Sequence, residues 1–279
     1  MPHHETHHST SDGKKLYLQG WEPEGERKAA IFLVHGLGEH SGRYVAIAQK
    51  FVEQGFAVYT FDGRGHGKSS QPKVTAYIEQ LEPYLEDVDA LFQKMKSYVG
   101  DVPCFILGHS MGGALVAHYS IFKIPKVAGI LLSGAGILPG PDFSPLLIKV
   151  AGVLGKLTPK FNAVKLASSN LSRDPQVVKA YDEDPLVYHK GIPARTGAEL
   201  LRLSQEIQDS IDRFSLPVLI MHGTADRVTN VEGSKLLYEK ALSSDKTLKL
   251  YQGFFHEIMN EPEKEEVLGD IIGWIKERV

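Results

Sequence analysis

The chain has 279 residues, 42% of them hydrophobic and 23% charged, with a formal net charge of −3 and a single cysteine. That near-neutral balance lacks the basic footprint of a general nucleic-acid binder, and one cysteine makes neither an internal disulfide nor a zinc site of several thiolates. No run of about eighteen uninterrupted apolar residues is available to span a membrane, and the first fifteen residues hold no secretory apolar segment, so a soluble, cytoplasmic globular protein is expected.

Residues 1–15 (MPHHETHHSTSDGKK) are polar, carry four of the twelve histidines in their first eight positions, and read as a disordered lead-in. His4-Glu5-Thr6-His7-His8 matches the H-E-x-x-H zinc motif, but that chemistry needs a rigid helix and a third ligand. Nothing apolar is present to pack such a helix, so no metal site is assigned.

Strand-like runs follow at LYLQGW (16–21) and AAIFLVHG (29–36), then a helical pattern over 44–55 that Gly55 stops. FAVYTFD (56–62) reads as a strand and 84–99 as a long helix. Next come a strand at VPCFILG (102–108), a helix at ALVAHYSIF (114–122) and a strand at KVAGILLSG (126–134). The alternation resumes with LPVLIMHG (216–223), a helix at 234–242, TLKLYQG (247–253) and a closing helix at 265–279. Continuous apolar strands alternating with amphipathic helices predict an α/β fold with a mostly parallel, doubly covered sheet.

Between Gly134 and Leu216 lie roughly eighty residues with no convincing strand, too many for a structureless loop. A helical insertion is therefore expected. Its first helix, 144–157, carries Leu146, Leu147, Val150, Val153, Leu154 and Leu157, an apolar face that either packs on the core or stays partly open.

Gly108-His109-Ser110-Met111-Gly112 is a G-x-S-x-G motif set between a strand and a helix, where a nucleophile elbow needs small residues on both sides of its serine. Serine is a weak nucleophile without a base, and the base needs an orienting acid. Asp226 follows the strand 216–223, and His256, the only histidine after it, follows the strand 247–253. Singly, Asp226 reads as a turn residue and His256 as a helix start. At three strand ends in the order Ser, Asp, His, they read together as a catalytic triad. The oxyanion would be held by the backbone N–H of Met111 and of Leu37 in the loop His35-Gly36-Leu37-Gly38, with His35 as a structural residue.

Two other features resemble sites. Asp62 to Ser69 (DGRGHGKS) ends like a phosphate-binding loop but has Asp62 where the first glycine is required, so it reads as a tight turn beside the elbow. Cys104, inside an apolar strand, reads as core. No metal or organic cofactor is called for.

The segments HGLGEHSGRY (35–44), FDGRGHGKS (61–69), LGHSMGG (107–113), DEDPLVYHKG (182–191), HGTADRVT (222–229) and SSDKTLKLYQGFFHEIMNEPE (243–263) resemble the monoacylglycerol lipase branch of the serine α/β-hydrolases. The likeness runs from about Lys14 over nearly the whole chain. It implies the α/β-hydrolase fold, with a core of 16–135 and 210–279 and a helical cap over 136–209 inserted after the sixth strand. It also implies an acyl tunnel under the cap, and hydrolysis of monoacylglycerols to fatty acid and glycerol. Family contacts to glycerol map onto Glu39, Arg43, His109 and Tyr181. The family usually has a small residue where this chain has Leu37, which puts the shape of the acyl pocket in question. A greasy cap helix would rest transiently on a membrane or micelle surface, making the protein peripheral to membranes. A lysophospholipase, a broad carboxylesterase and a non-catalytic receptor of this fold are the alternatives; oligomeric state stays open.

Overall fold

A computed structural model of the chain describes residues 2–70, 72–141 and 154–279. Its centre is an eight-stranded sheet in the order β1-β2-β4-β3-β5-β6-β9-β10. The strands are β1 (His3–Ser9), β2 (Lys15–Trp21), β3 (Ala29–Val34), β4 (Phe56–Phe61), β5 (Cys104–His109), β6 (Gly129–Ser133), β9 (Val218–Gly223) and β10 (Lys246–Tyr251). β1 and β2 run antiparallel, and every pairing from β4 to β10 is parallel. Strands β3, β5, β6 and β9 are buried at every position, which is why they read as unbroken apolar runs: side chains on both faces meet helices.

Two hydrophobic clusters result, one on each face of the sheet. Helices α1 (Val45–Glu53) and α7 (Lys264–Lys276) cover one through Phe51, Ile271 and Trp274. Helices α2 (Glu82–Val99), α3 (Met111–Phe122) and α6 (Val231–Lys240) cover the other through Phe92, Leu115 and Leu237. The parallel arrangement sends the chain out of β5, β9 and β10 at the same edge, and the loops there carry Ser110, Asp226 and His256.

The lead-in is not disordered: residues 3–9 form β1, paired along its length with β2. A ladder needs only backbone donors and acceptors, so the absence of apolar side chains does not forbid it. His3 stacks on Trp21 with ring centroids 5.1 Å apart, and His7 meets the edge of Tyr17. The extended backbone also rules out the helical face that the H-E-x-x-H reading requires.

The segment between β6 and β9 holds α4 (Pro175–Glu183), α5 (Ala194–Ser210) and, against expectation, a two-stranded antiparallel sheet of β7 (Asn162–Val164) and β8 (Ile192–Pro193). These strands are three and two residues long, below the length at which alternation can be read from sequence. Helix α5 packs against α3 and sinks Leu203 and Ile207 into the core. Of the expected 144–157 helix, residues 144–153 lie outside the described residues; Leu157 is 74% exposed.

A Cβ at Gly112 would stand 2.1 Å from the Val34 carbonyl oxygen, whereas one at Gly269, on the exposed side of α7, meets nothing within 4 Å. Gly112→Ala is expected to lose about 3 kcal/mol or more through backbone overlap. Gly269→Ala should gain about 0.5–1 kcal/mol by restricting the unfolded chain. Urea unfolding of the two variants measures both.

Candidate active site

Ser110 joins β5 directly to α3 with φ 55° and ψ −118°, a backbone region that residues with a side chain rarely occupy. The turn is possible because its neighbours are small. A Cβ on Gly108 would overlap the Gly112 carbonyl at 2.5 Å, and one on Gly113 would press on Ala135 Cβ at 2.7 Å.

At the sheet edge three side chains from three loops join in line. Ser110 Oγ lies 2.8 Å from His256 Nε2, and His256 Nδ1 lies 2.7 Å from Asp226 Oδ2. Asp226 is held in turn by the Val228 and Thr229 backbone N–H groups on Oδ1 and by the Thr229 hydroxyl on Oδ2. A second histidine, His222, also reaches Asp226 Oδ2 through Nε2 at 3.1 Å and has Ser234 Oγ 2.7 Å from Nδ1. Burial would raise the Asp226 carboxyl, but the two histidines outweigh it and hold it well below the usual carboxylate range. Burial pulls His256 down, and Asp226 more than restores it, so its pKa ends above the ordinary imidazole value.

The loop after β3 supplies the other side. Among the described residues no acceptor takes the N–H of Leu37 or of Met111, and both residues line the cavity beside Ser110. His35 braces this loop: its Nδ1 lies 2.7 Å from the Gly36 carbonyl oxygen, and its Nε2 accepts from Gly63 N at 2.9 Å. Gly63 belongs to the DGRGHGKS turn. There Asp62 accepts from the Ser41 and Lys68 backbone amides, and Tyr84 fills the space over Gly63, so the segment is a brace and not a phosphate cradle. Cys104 is buried and free, with its thiol on the Val102 carbonyl.

Two chambers meet at Ser110. One, of about 150 Å³, is lined by Leu37, Met111, Ala114, Leu138, Leu200 and Val228 among others, with no charged side chain among its described lining. The other, of about 50 Å³, brings together Glu39, Arg43, His109, Tyr181 and His256. Eight of the nine candidate site residues singled out from the sequence therefore border these two chambers, and the ninth, Asp226, stands behind His256.

Arg43 Nη1 bridges Glu39 Oε2 at 2.8 Å and Glu257 Oε1 at 2.7 Å, and its guanidinium stacks 4.8 Å from the Tyr181 ring centre. Against the cost of burial, Arg43 and His109 bring Glu39 down to about 2. Burial and the neighbouring His256 push His109 down to about 4. His109 Nδ1 lies 3.1 Å from the Ser133 carbonyl oxygen. Sequence reasoning missed Glu257, His222 and Ser234. Glu257 directly follows His256, and His222 is the fourth residue before Asp226, so spacing along the chain was the available signal.

A serine, a histidine and an aspartate hydrogen-bonded in line at the edge of a mostly parallel sheet, with the serine on a strand-to-helix elbow, define a serine hydrolase of the α/β-hydrolase fold. A family model described as serine aminopeptidase, S33, matches residues 25–263. The chain is 37% identical over 263 residues to a monoacylglycerol lipase of Mycolicibacterium smegmatis, covering 94% of this chain and 93% of that one. It is 34% identical to a monoglyceride lipase of Rattus norvegicus, covering 98% and 90%. Among solved structures, the Paleococcus ferrophilus monoacylglycerol lipase superposes with a TM-score of 0.84 at 33% identity, over 95% of this chain and 99% of that one. The chain belongs to the S33 serine hydrolase family, in its monoacylglycerol lipase-like branch.

Because the base must be neutral to accept a proton, kcat/KM is expected to fall as pH drops through the raised His256 pKa, with a midpoint above the ordinary imidazole value. Asp226→Asn should cost about ten-thousand-fold in kcat and move that midpoint downward. A pH–rate profile of both proteins checks the sign.

Proposed function

We propose that the protein hydrolyses monoacylglycerols to fatty acid and glycerol through an acyl-enzyme. Ser110 Oγ attacks the ester carbonyl and gives its proton to His256 Nε2. Asp226 holds the imidazole with its proton on Nδ1 and stabilises the imidazolium that forms. The Leu37 and Met111 amides receive the oxyanion, each such donor contributing about 3–4 kcal/mol in the transition state. His256 then protonates the departing glycerol oxygen, and water repeats the sequence on the acyl-enzyme, activated by the same histidine.

The observation that carries this reading is the placement of the two chambers relative to the base. The leaving oxygen must take its proton from His256, so the leaving group belongs in the chamber that His256 lines. That chamber is polar, whereas the one on the other side of Ser110 is apolar and suits an acyl chain. An aminoacyl substrate would place an ammonium next to the carbonyl on the apolar side, where no described side chain carries a compensating charge.

Leu157 and Phe161, 74% and 57% exposed on the inserted segment, support a peripheral lipid-surface contact through which substrate is collected. Among the described residues no helix is long and apolar enough to cross a membrane.

Ser110→Ala is expected to lose turnover of 1-oleoylglycerol by several orders of magnitude and to lose labelling by a fluorophosphonate probe, with unchanged unfolding behaviour. Substantial residual turnover would refute the assignment. Assays of monoacylglycerols beside lysophosphatidylcholine and short esters, across chain lengths, should show preference for the first. Co-sedimentation with liposomes should weaken in a Leu157→Ser, Phe161→Ser double variant, and no sedimentation of the parent protein would overturn the surface contact.

A further inference from the structure

Three charged side chains line the polar chamber: Glu39, Arg43 and Glu257. They are nearly inaccessible, with side-chain exposures of 5%, 11% and 5%. The single guanidinium is shared between both carboxylates. Its Nη1 donates to Glu39 and to Glu257, its Nη2 donates to Glu257 Oε2 at 2.8 Å, and its face is covered by Tyr181. One carboxylate suffices to neutralise Arg43. Arg43 donates twice to Glu257 and once to Glu39, whose other oxygen takes the Gly36 amide and the Tyr44 hydroxyl. The trio therefore keeps one surplus negative charge, which removal of the Glu257 carboxylate would abolish; Glu257 is fixed in place by Arg43 and by Asn260 Nδ2 at 2.8 Å. No lysine or second arginine lines this chamber among the described residues. The adjoining outer cavity has both Lys165 and Asp182 in its lining.

We infer that Glu257 is a specificity-determining residue that makes the leaving-group chamber reject anionic headgroups, so that esters of neutral polyols are turned over in preference to phosphate-bearing counterparts. A hydroxyl can donate to a carboxylate that still has lone pairs. A phosphate brought there would face two buried carboxylates, and the one cation is already committed to both. The inference rests on the monoacylglycerol reading, which assigns this chamber to the leaving group, and it narrows that reading.

The test compares the purified full chain on 1-oleoylglycerol and on 1-oleoyl lysophosphatidate, which share one acyl chain, in the same neutral detergent micelles. The wild type is expected to favour the neutral ester in kcat/KM. Glu257→Gln, which keeps the volume and removes the charge, should narrow that preference by about tenfold or more, the size expected for one unit charge at several ångströms in a half-screened site. Equal turnover of both esters by the wild type, or an unchanged preference in a folded Glu257→Gln protein, would overturn the inference alone. No turnover of 1-oleoylglycerol would overturn the substrate reading and the inference together.

A second measurement needs no variant. The phosphate loses its second proton near about pH 6. The wild-type ratio of lysophosphatidate to 1-oleoylglycerol turnover should therefore fall as pH rises through that value. Glu39, Arg43, His109, Tyr181, His256 and Glu257 face both substrates; the need for a neutral His256 base is common to the two reactions and divides out of the ratio, whereas the charge difference between the headgroups does not. A pH-independent ratio would count against charge as the cause and overturn the inference.

Discussion

The site depends on a backbone conformation at Ser110 that costs about 1–3 kcal/mol and persists only where the surroundings hold it. Here the restraint is steric and comes from both directions. Gly108 lets the end of β5 close on the start of α3, Gly112 lets α3 close on the end of β3, and Gly113 lets Ala135 close the third side. With β5 paired on both edges and α3 buried along most of its length, the turn has no room to relax. One outcome is that the serine side chain stands clear of the sheet where His256 can reach it. Another is that the Met111 amide, at the first position of α3, has no helical acceptor and remains available to a developing oxyanion.

Burial acts on His35, His66, His109 and His256 in one direction, disfavouring charge, so the neighbours decide which of them can act as a base. His35, His66 and His109 all lie below the ordinary imidazole value, with burial as the largest cause. They serve as neutral hydrogen-bonding struts. His256 is equally buried, and the Asp226 carboxylate, helped to a smaller extent by Glu257 and Glu39, lifts it above that value. Asp226 is spared reorganisation because its two oxygens are already satisfied by two amides, a hydroxyl and two imidazoles. A charge stabilised in advance by fixed dipoles need not reorient them as the imidazolium forms, which is the physical content of preorganisation.

The sequence was readable wherever one local rule was strong. Continuous apolar runs located β3, β5, β6 and β9, and the glycines around Ser110 located the elbow before any contact was known. Strand ends in chain order located Asp226 and His256, because a parallel sheet brings successive strand ends to one edge. The unread parts have a shared cause: they depend on pairing between distant segments. β1 is held by a ladder to β2 that its polar side chains do not announce. β7 and β8 are too short to show a period. Glu257 and His222 carry no motif of their own, and their parts follow from the partners that folding brings near, Arg43 from the loop before α1 and Asp226 from the loop after β9. His35, Asp62 and Gly63, read from the sequence as a structural histidine and a tight turn, brace the loops around the elbow.

Leu37 links these levels. It occupies a position where the resemblance led us to expect a small residue, yet the proposed reaction draws only on its backbone amide, so its side chain is free to take another part. Leu37 borders the apolar chamber, the polar chamber and the outer cavity alike, and so stands at the boundary between them. An ester bound with its acyl chain on the apolar side places its leaving oxygen next to His256. The reversed ester would set hydrocarbon against Glu39, Arg43 and Glu257 and a polyol against Leu138, Leu200 and Val228, leaving buried polar groups without partners on both sides. In the proposed reaction, orientation is thus set by the contrast between the chambers before any bond to Ser110 forms. A branched apolar side chain at their junction sharpens that contrast, whereas a glycine or alanine there would blur it.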